Sequence, residues 1–158
     1  MAATILPSVQ LYLVRHAEAA DGEPDELRPL TAEGRRAARE LGERLAADGI
    51  RPDAVLTSPL LRARETGAEL ARPAGLEPEA DERLAPGATA EDVRAAADGR
   101  GETVVVVGHQ PDCGKIAAAL TGDEEPPFAP AAMLAIERQS ARLDAATCSR
   151  GTAQDRAR

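Results

Sequence analysis

Residues 103–107, which read Thr-Val-Val-Val-Val, constrain the fold more than any other segment of the chain. Continuous β-branched, apolar residues are typical of a strand that is covered on both faces, as in parallel sheets with helices on either side. The run stops at Gly108 and His109, and Pro111 then occupies a favoured position at the start of a predicted helix. The segment therefore predicts a strand buried between two layers of helices.

Shorter patterns elsewhere in the chain place helices between strands. The other predicted strands lie at residues 9–14, 54–57, 77–80 (a weak edge strand) and 133–137. Thr31 and Thr89 are predicted to cap two further helices, and Pro59 is expected at the first position of a third. Strands that alternate with helices favour a three-layer α/β fold, with a mainly parallel central sheet and helices on both faces.

The length of 158 residues is typical of one domain with one hydrophobic core. We predict a single domain over residues 1–148, because the proline-rich segment 124–130 is only a loop in length and no internal repeat is present. Residues 149–158 are polar and basic, and this composition predicts a frayed tail.

Charge and apolar patterning argue against several classes of function. Lys and Arg number 19 and Asp and Glu number 27, so the formal net charge of −8 argues against nucleic acid and anionic membranes as partners. No apolar stretch approaches the roughly 18 residues of a membrane span. The N-terminus does not resemble a secretory signal, so we expect a cytoplasmic protein of undetermined oligomeric state. Cys113 and Cys148 lack the spacing of a disulfide framework or a zinc site.

The two histidines of the chain each directly follow a predicted buried strand, His16 after the first strand and His109 after the valine run. Arg15 precedes the first of them, and Arg62 lies in the segment after the second strand. In α/β sheets ligands bind outside the carboxyl ends of the strands, so these four side chains are expected to converge.

This combination of side chains suits phosphoryl transfer. A neutral imidazole such as His16 can attack phosphorus and form a covalent intermediate. The guanidinium groups of Arg15 and Arg62 offer forked donors to phosphoryl oxygens, and their positive charge lowers the pKa of a neighbouring imidazole. His109 is then predicted to donate a hydrogen bond to a phosphoryl oxygen.

Other interpretations of these residues stay open at this point. Taken singly, a histidine at a strand end is more often structural, and an arginine in a first helical turn is more often a solvated charge. A metal site formed by the two histidines with Asp112 or Glu18 is a second hypothesis, although an arginine beside the first histidine would repel a cation. Arg28 and Arg64 either extend a positive rim around the site or are solvated.

Three segments resemble the signature motifs of the histidine phosphatase superfamily, the phosphoglycerate-mutase-like enzymes. Residues 13–19, Leu-Val-Arg-His-Ala-Glu-Ala, resemble the Arg-His signature, with Ala17 in place of the usual glycine. Residues 58–66 resemble the second arginine motif, and residues 104–109 resemble the second-histidine motif. All three occur in the superfamily's order, and the similarity extends from the first strand through the helix after the valine run.

Within the superfamily the chain is most similar to the short SixA-type phosphohistidine phosphatases. The features behind this resemblance are the lack of an inserted cap domain and the segments 28–34, 84–87 and 109–111. The resemblance implies a phosphoglycerate-mutase-like fold without a cap and makes His16 the nucleophile. Arg15, Arg62 and His109 are implied to form the phosphate pocket. The resemblance further implies an enzyme that needs no metal ion or other cofactor.

One departure from the superfamily's pattern bears on the substrate. Many members place a glutamate general acid after the third strand, in a Leu-x-Glu context, whereas here Leu84 is followed by Ala85 and Pro86. The candidate replacements are loop carboxylates, namely Glu18, Asp21, Asp81 and Glu82. An alkoxide leaving group needs a proton from the enzyme, but a phosphorylated imidazole whose other nitrogen is protonated departs as neutral imidazole.

These considerations favour phosphohistidine on a protein as the substrate, and we predict that Arg28 and Glu18 help to bind it. A first alternative is a phosphatase of a small phosphate ester, such as a sugar or nucleoside phosphate. A second alternative is a non-catalytic phosphate-binding module. The intact set of histidines and arginines argues against the module, because a pseudoenzyme commonly loses its nucleophile.

Overall fold

The computed structural model describes residues 8–139, so the predicted tail at 149–158 and part of the domain predicted over 1–148 lie outside the described residues. The helices and strands are β1 Ser8–Arg15, α1 Ala32–Ala47, β2 Ala54–Thr57, α2 Leu61–Ala71, β3 Glu79–Ala80, α3 Ala90–Ala97, β4 Thr103–Gly108, α4 Asp112–Thr121 and β5 Met133–Gln139. Single turns of 3-10 helix occur at Asp25–Leu27, Arg72–Ala74 and Glu82–Leu84. Within this part of the chain no helix is long and apolar enough to cross a membrane.

The strands form one mixed sheet in the order β3-β2-β4-β1-β5. Strands β1 to β4 run parallel, whereas β5 runs antiparallel to β1 at the edge. The valine strand β4 lies in the middle, where Val105 pairs with Tyr12 of β1 and with Val55 of β2. The prediction of a mainly parallel sheet is confirmed, and the weak edge strand predicted at 77–80 is present as the two residues of β3.

Helices cover both faces of this sheet, which explains why β4 is apolar from Val104 to Val107. On one face Val104 and Val106 lie in a core formed with α3 and α4. On the other face Val105 and Val107 lie in a core formed with α1 and α2. Because successive side chains of a strand point to opposite faces, each of these valines meets a helical layer. The predicted three-layer architecture is confirmed, and residues 8–139 contain no separate cap domain.

Two of the predicted helix starts are present as expected. The side-chain oxygen of Thr31 accepts a hydrogen bond from the backbone N–H of Gly34 at 2.9 Å and caps α1. At the start of α3, Thr89 and Asp92 form a reciprocal capping box. Both helices therefore begin where a short polar side chain satisfies a backbone donor.

The prediction that Pro59 begins α2 is wrong, because the helix begins at Leu61. The reason lies in Ser58, whose Oγ accepts a hydrogen bond from the backbone N–H of Leu60 at 3.2 Å. This local bond holds residues 58–60 in a turn that competes with helix formation. Pro59 therefore lies in the turn that connects β2 to α2.

Candidate active site

Three strand ends meet at one edge of the sheet. Arg15 at the end of β1 is paired with Gly108 at the end of β4. The backbone N–H of His16 donates to the carbonyl of Gly108 at 3.0 Å, and the backbone N–H of Ser58 donates to a carbonyl of β4 at 3.0 Å. The rings of His16 and His109 lie with their centroids 5.2 Å apart. The structure thus brings together the two histidines that the sequence separates by most of the domain.

The hydrogen bond made by His16 determines which nitrogen of its ring carries the proton. Nδ1 lies 2.7 Å from the carbonyl oxygen of Ala17. Because a carbonyl oxygen only accepts, Nδ1 carries the proton and Nε2 keeps a lone pair. Burial lowers the pKa of His16, the bond to Ala17 opposes this effect, and the positive charges of Arg62, Arg15 and Arg28 lower the pKa further. The ring is therefore neutral at pH 7, with a nucleophilic Nε2.

Ala17, which follows His16, is held by a hydrogen bond to a side chain of α2. The backbone N–H of Ala17 donates to Oγ1 of Thr66 at 3.0 Å, and the Thr66 hydroxyl donates to the carbonyl of Arg62 at 2.8 Å. The methyl group of Ala17 is buried in a small cluster with Leu30 and Ala38. An alanine is accommodated here because this cluster leaves room for its methyl group.

His109 is buried and held by Ser58. Nε2 of His109 lies 2.7 Å from Oγ of Ser58. Burial and the neighbouring charges of His16 and Arg62 lower the pKa of His109 to about 4, so this ring is also neutral at pH 7. When Ser58 donates to Nε2, the single ring proton of His109 sits on Nδ1. Nδ1 is buried and has no hydrogen-bond partner among the described residues.

Arg15 has a similar uncommitted donor. Its Nη1 donates to the carbonyl of Phe128 at 2.9 Å, which anchors the guanidinium to the loop before β5. Its Nε is buried and lacks a hydrogen-bond partner within residues 8–139. Buried polar groups are normally paired, so these two donors near His16 are available to an acceptor-rich group.

Arg62, in the first turn of α2, is only 8% exposed and contacts a carboxylate. Its Nη1 donates to the backbone carbonyl of Asp25 at 2.9 Å, and its Nη2 donates to Oδ2 of Asp25 at 3.2 Å. Arg28 donates through Nη1 to Oδ1 of the same carboxylate at 2.9 Å and through Nε to the carbonyl of Ala20 at 2.8 Å. Arg28 is thus linked to Arg62 through the carboxylate of Asp25. Arg64, in contrast, is exposed on α2.

Asp25 is a site residue that the sequence analysis missed. Hydrogen bonds from Arg28 and Arg62 hold the pKa of this carboxyl below its usual value. It lies in the segment 21–29, whose Gly, Pro, Asp and Glu content is typical of a solvated loop. The available signal was its spacing of three residues from Arg28, since one helical turn brings such residues together.

Glu18 is tied to the start of α1 rather than to the histidine pair. Its carboxylate accepts a hydrogen bond from the Thr31 hydroxyl at 2.7 Å, and its backbone carbonyl accepts one from the Thr31 N–H at 3.0 Å. A Cβ atom on Gly34 would lie 2.1 Å from the carbonyl oxygen of Glu18, so glycine is required for this close approach. The predicted role of Glu18 in substrate binding stays a prediction.

The other candidate acids lie in different surroundings. Asp81 is bound by Arg83, whose Nε and Nη2 donate to its two carboxylate oxygens at 3.0 and 2.8 Å. These hydrogen bonds hold the pKa of Asp81 below its usual value. Asp21 and Glu82 are exposed. None of the hydrogen bonds described for these carboxylates joins them to the histidine pair.

The chain resembles an established enzyme family in sequence and in structure. The model of the histidine phosphatase superfamily (branch 1) matches residues 11–86. An uncharacterized protein of Picosynechococcus is 39% identical over 123 residues, which cover 71% of this chain and 73% of that protein. Phosphohistidine phosphatase SixA of Escherichia coli is 31% identical over 127 residues, which cover 76% of this chain and 79% of that protein.

A solved structure extends the likeness to the whole described fold. The protein histidine phosphatase SixA complexed with tungstate superposes with a TM-score of 0.73 at 28% sequence identity. The superposition covers 85% of this chain and 99% of that one.

Proposed function

Because the chain belongs to the histidine phosphatase superfamily, we propose that it hydrolyses phosphohistidine on a partner protein through a phosphoryl intermediate on His16. The observation that carries the proposal is the bond from Nδ1 of His16 to the Ala17 carbonyl, which leaves a lone pair on Nε2. Beside this ring, Nε of Arg15 and Nδ1 of His109 are buried and unpaired among the described residues. A nucleophile flanked by uncommitted donors suits a phosphoryl group.

In the first step, the lone pair on Nε2 of His16 forms a bond to phosphorus. The P–N bond of the substrate breaks, and its electron pair stays on the ring nitrogen of the substrate. That ring is protonated on its other nitrogen and leaves as neutral imidazole. The positive charge that develops on His16 is stabilised by the hydrogen bond from its Nδ1 to Ala17.

In the second step, water attacks phosphorus and the bond to Nε2 breaks. The electron pair returns to His16, and both hydrogens of the water stay with the product, dihydrogen phosphate. Arg15 and Arg62 bind phosphoryl oxygens in both steps, and His109 donates to a non-bridging oxygen as charge develops. The arginines therefore contribute to binding and to rate together.

The residues around the site support a phosphoramidate rather than an ester as the substrate. Leu84 is buried, and the residues after it, Ala85 and Pro86, offer no carboxylate to protonate an alkoxide. A protonated imidazole needs no such acid. The SixA of Escherichia coli, to which the chain is 31% identical, is described as a phosphohistidine phosphatase.

An apolar side chain beside the site supports a protein as the partner. Among the residues that the structure describes, Leu27 is the one large apolar residue that is exposed, at 58%. It ends the same single turn of helix that begins with Asp25, and Asp25 binds Arg62. Because removal of apolar surface from water drives most protein–protein association, an exposed leucine beside the site suits contact with a protein substrate.

The test is a comparison of kcat/KM for a phosphohistidine-containing protein and for a panel of small phosphate monoesters. We expect a strong preference for the P–N substrate and a phosphoenzyme that is stable to base and labile to acid. His16→Ala should abolish turnover and labelling, whereas Arg64→Ala, at an exposed position, should leave both unchanged.

Two outcomes would contradict the proposal. Preference for one monoester would identify a phosphatase of a small phosphorylated metabolite. Tight phosphate binding without turnover of any substrate would indicate a binding module.

A further inference from the structure

Asp25 stands at the site with its carboxylate between two arginines. Oδ2 accepts a hydrogen bond from Arg62 and Oδ1 accepts one from Arg28, at 3.2 and 2.9 Å. The side chain is nevertheless 53% exposed, so its oxygens are accessible to solvent and to a substrate. The negative charge of Asp25 raises the pKa of His109 and so opposes part of the lowering caused by burial.

A fixed carboxylate is unexpected in a site for an anion. Its negative charge offsets part of the attraction that Arg62 and Arg28 exert on a phosphoryl group. Since the two arginines keep Asp25 ionised, it has no proton to give and is not a replacement for the missing general acid. An ionised carboxylate is, however, a strong hydrogen-bond acceptor for a cationic N–H group.

We propose that Asp25 determines specificity by accepting a hydrogen bond from the protonated distal ring nitrogen of a phosphohistidine substrate. This inference rests on the proposed function. In an in-line displacement the leaving nitrogen lies on the side of phosphorus opposite Nε2 of His16, and therefore faces away from that ring. The carboxylate of Asp25 is 53% exposed and bound to Arg62, so it is open to such a leaving group. The carboxylate stabilises the protonated ring, which is the form that departs as neutral imidazole.

The proton stays with the substrate throughout this step. The P–N bond breaks, the electron pair remains on the proximal nitrogen, and the distal nitrogen keeps its hydrogen. Asp25 neither gains nor loses a proton. A phosphate monoester offers no N–H group to Asp25, and its leaving oxygen needs a proton that the carboxylate lacks, so the same residue discriminates against esters.

The experiment compares Asp25→Asn with Glu26→Gln, which changes the neighbouring exposed carboxylate of the same turn. The Asp25→Asn variant keeps the backbone carbonyl that binds Arg62. The readouts are kcat/KM for a phosphohistidine peptide, kcat/KM for p-nitrophenyl phosphate, whose leaving group needs no proton, and the Kd of tungstate. We expect kcat/KM for the peptide to fall by about 10- to 100-fold, as for a lost charge-assisted hydrogen bond.

The other two readouts separate a direct contact from a structural effect. With Asp25→Asn, kcat/KM for p-nitrophenyl phosphate and the affinity for tungstate should fall much less than kcat/KM for the peptide, because neither probe offers an N–H group to Asp25 and the loss of a negative charge favours anion binding. Equal losses on both substrates together with weaker tungstate binding would show that Asp25 only positions Arg62. Unchanged kcat/KM for the peptide would also overturn the assignment.

The outcome for the unmodified protein separates this inference from the proposed function. If the unmodified protein fails to turn over phosphohistidine, the proposed function is wrong and the role of Asp25 falls with it. If it turns over phosphohistidine and Asp25→Asn shows no selective loss, only the role of Asp25 is wrong.

Discussion

The imidazole rings of His16 and His109 lie with their centroids 5.2 Å apart and their planes inclined by 60°. At this separation a positive charge on one ring disfavours a positive charge on the other. Burial also lowers the pKa of both rings. Both rings are therefore neutral at pH 7, which is the form that the proposed nucleophile and the proposed hydrogen-bond donor require.

The acid limb of the pH profile follows from this relationship. Because the pKa of His16 lies below its usual value of 6.5, the nucleophile stays neutral in mildly acidic solution. We expect kcat/KM for phosphohistidine to fall only below pH 6.5. Arg28→Ala removes a positive charge that lowers this pKa, so the limb should move to higher pH. A limb at or above 6.5 in the unmodified protein, measured in buffers of constant ionic strength, would contradict the assignment of His16.

Buried His109 should also make stability depend on pH. Its pKa is about 4 in the folded chain and 6.5 in the unfolded chain, so the unfolded state binds more protons between these values. The contribution of neutral His109 to the free energy of unfolding is therefore fully present above pH 6.5 and is lost as the pH falls towards 4. From about pH 7.5 to about pH 5 this loss amounts to about 2 kcal/mol in the free energy of unfolding. Urea unfolding at the two pH values checks this, and His109→Gln should lose less stability than the unmodified protein.

The sequence predicts those parts of the molecule that are encoded locally. A strand that is buried on both faces can be recognised from its own composition, as in the β-branched run at residues 103–107. Parallel topology then brings His16 and His109 to the same edge, because both follow strands that end there.

The parts that sequence reasoning missed depend on contacts distant in sequence or on competing side chains. Asp25 joins the site only because its loop folds over Arg62, 37 residues later in the chain. Pro59 fails to start α2 because the Ser58 side chain binds the backbone of Leu60. Neither event leaves an apolar periodicity, and the spacing of Asp25 from Arg28 indicates a contact with Arg28 but not one with Arg62.

Removing the Arg62 guanidinium should weaken both binding and catalysis. Arg62 is buried and its charge acts on both histidines, so in the proposed mechanism Arg62→Ala leaves phosphoryl oxygens without a forked donor. We expect kcat/KM to fall by about 100- to 1000-fold, as when one transition-state donor is lost, with a matching loss of tungstate affinity. Arg64→Ala on the same helix is the matched control, and equal effects of the two substitutions would show that net charge alone matters.

Chelation should leave activity unchanged. In the proposed mechanism the charge that neutralises the phosphoryl group comes from guanidinium groups, and Arg15 beside His16 would repel a cation. Among residues 8–139 no three His, Cys, Asp or Glu side chains are grouped closely enough to hold a metal ion. Activity after treatment with EDTA and dialysis measures this directly. Strong inhibition that added metal reverses would restore the metal-site hypothesis for the two histidines.

Leu27 should affect turnover of a protein substrate without affecting turnover of a small one. Its side chain is 58% exposed on the turn that contacts Arg62 through Asp25, so a docked protein would cover it. Fully burying a leucine is worth about 1.5 to 3 kcal/mol, and with 58% of Leu27 left to cover the gain is about 1 to 1.7 kcal/mol. Leu27→Ser should therefore raise KM for a phosphorylated protein by about 4- to 20-fold. Free phosphohistidine has no protein surface to cover Leu27, although its ring is expected to reach Asp25 on the same turn, so its kcat/KM should not change. Equal losses of kcat/KM on the two substrates would show that Leu27 stabilises the catalytic site instead of contacting the protein substrate. No loss on either substrate would show that a protein substrate does not contact Leu27.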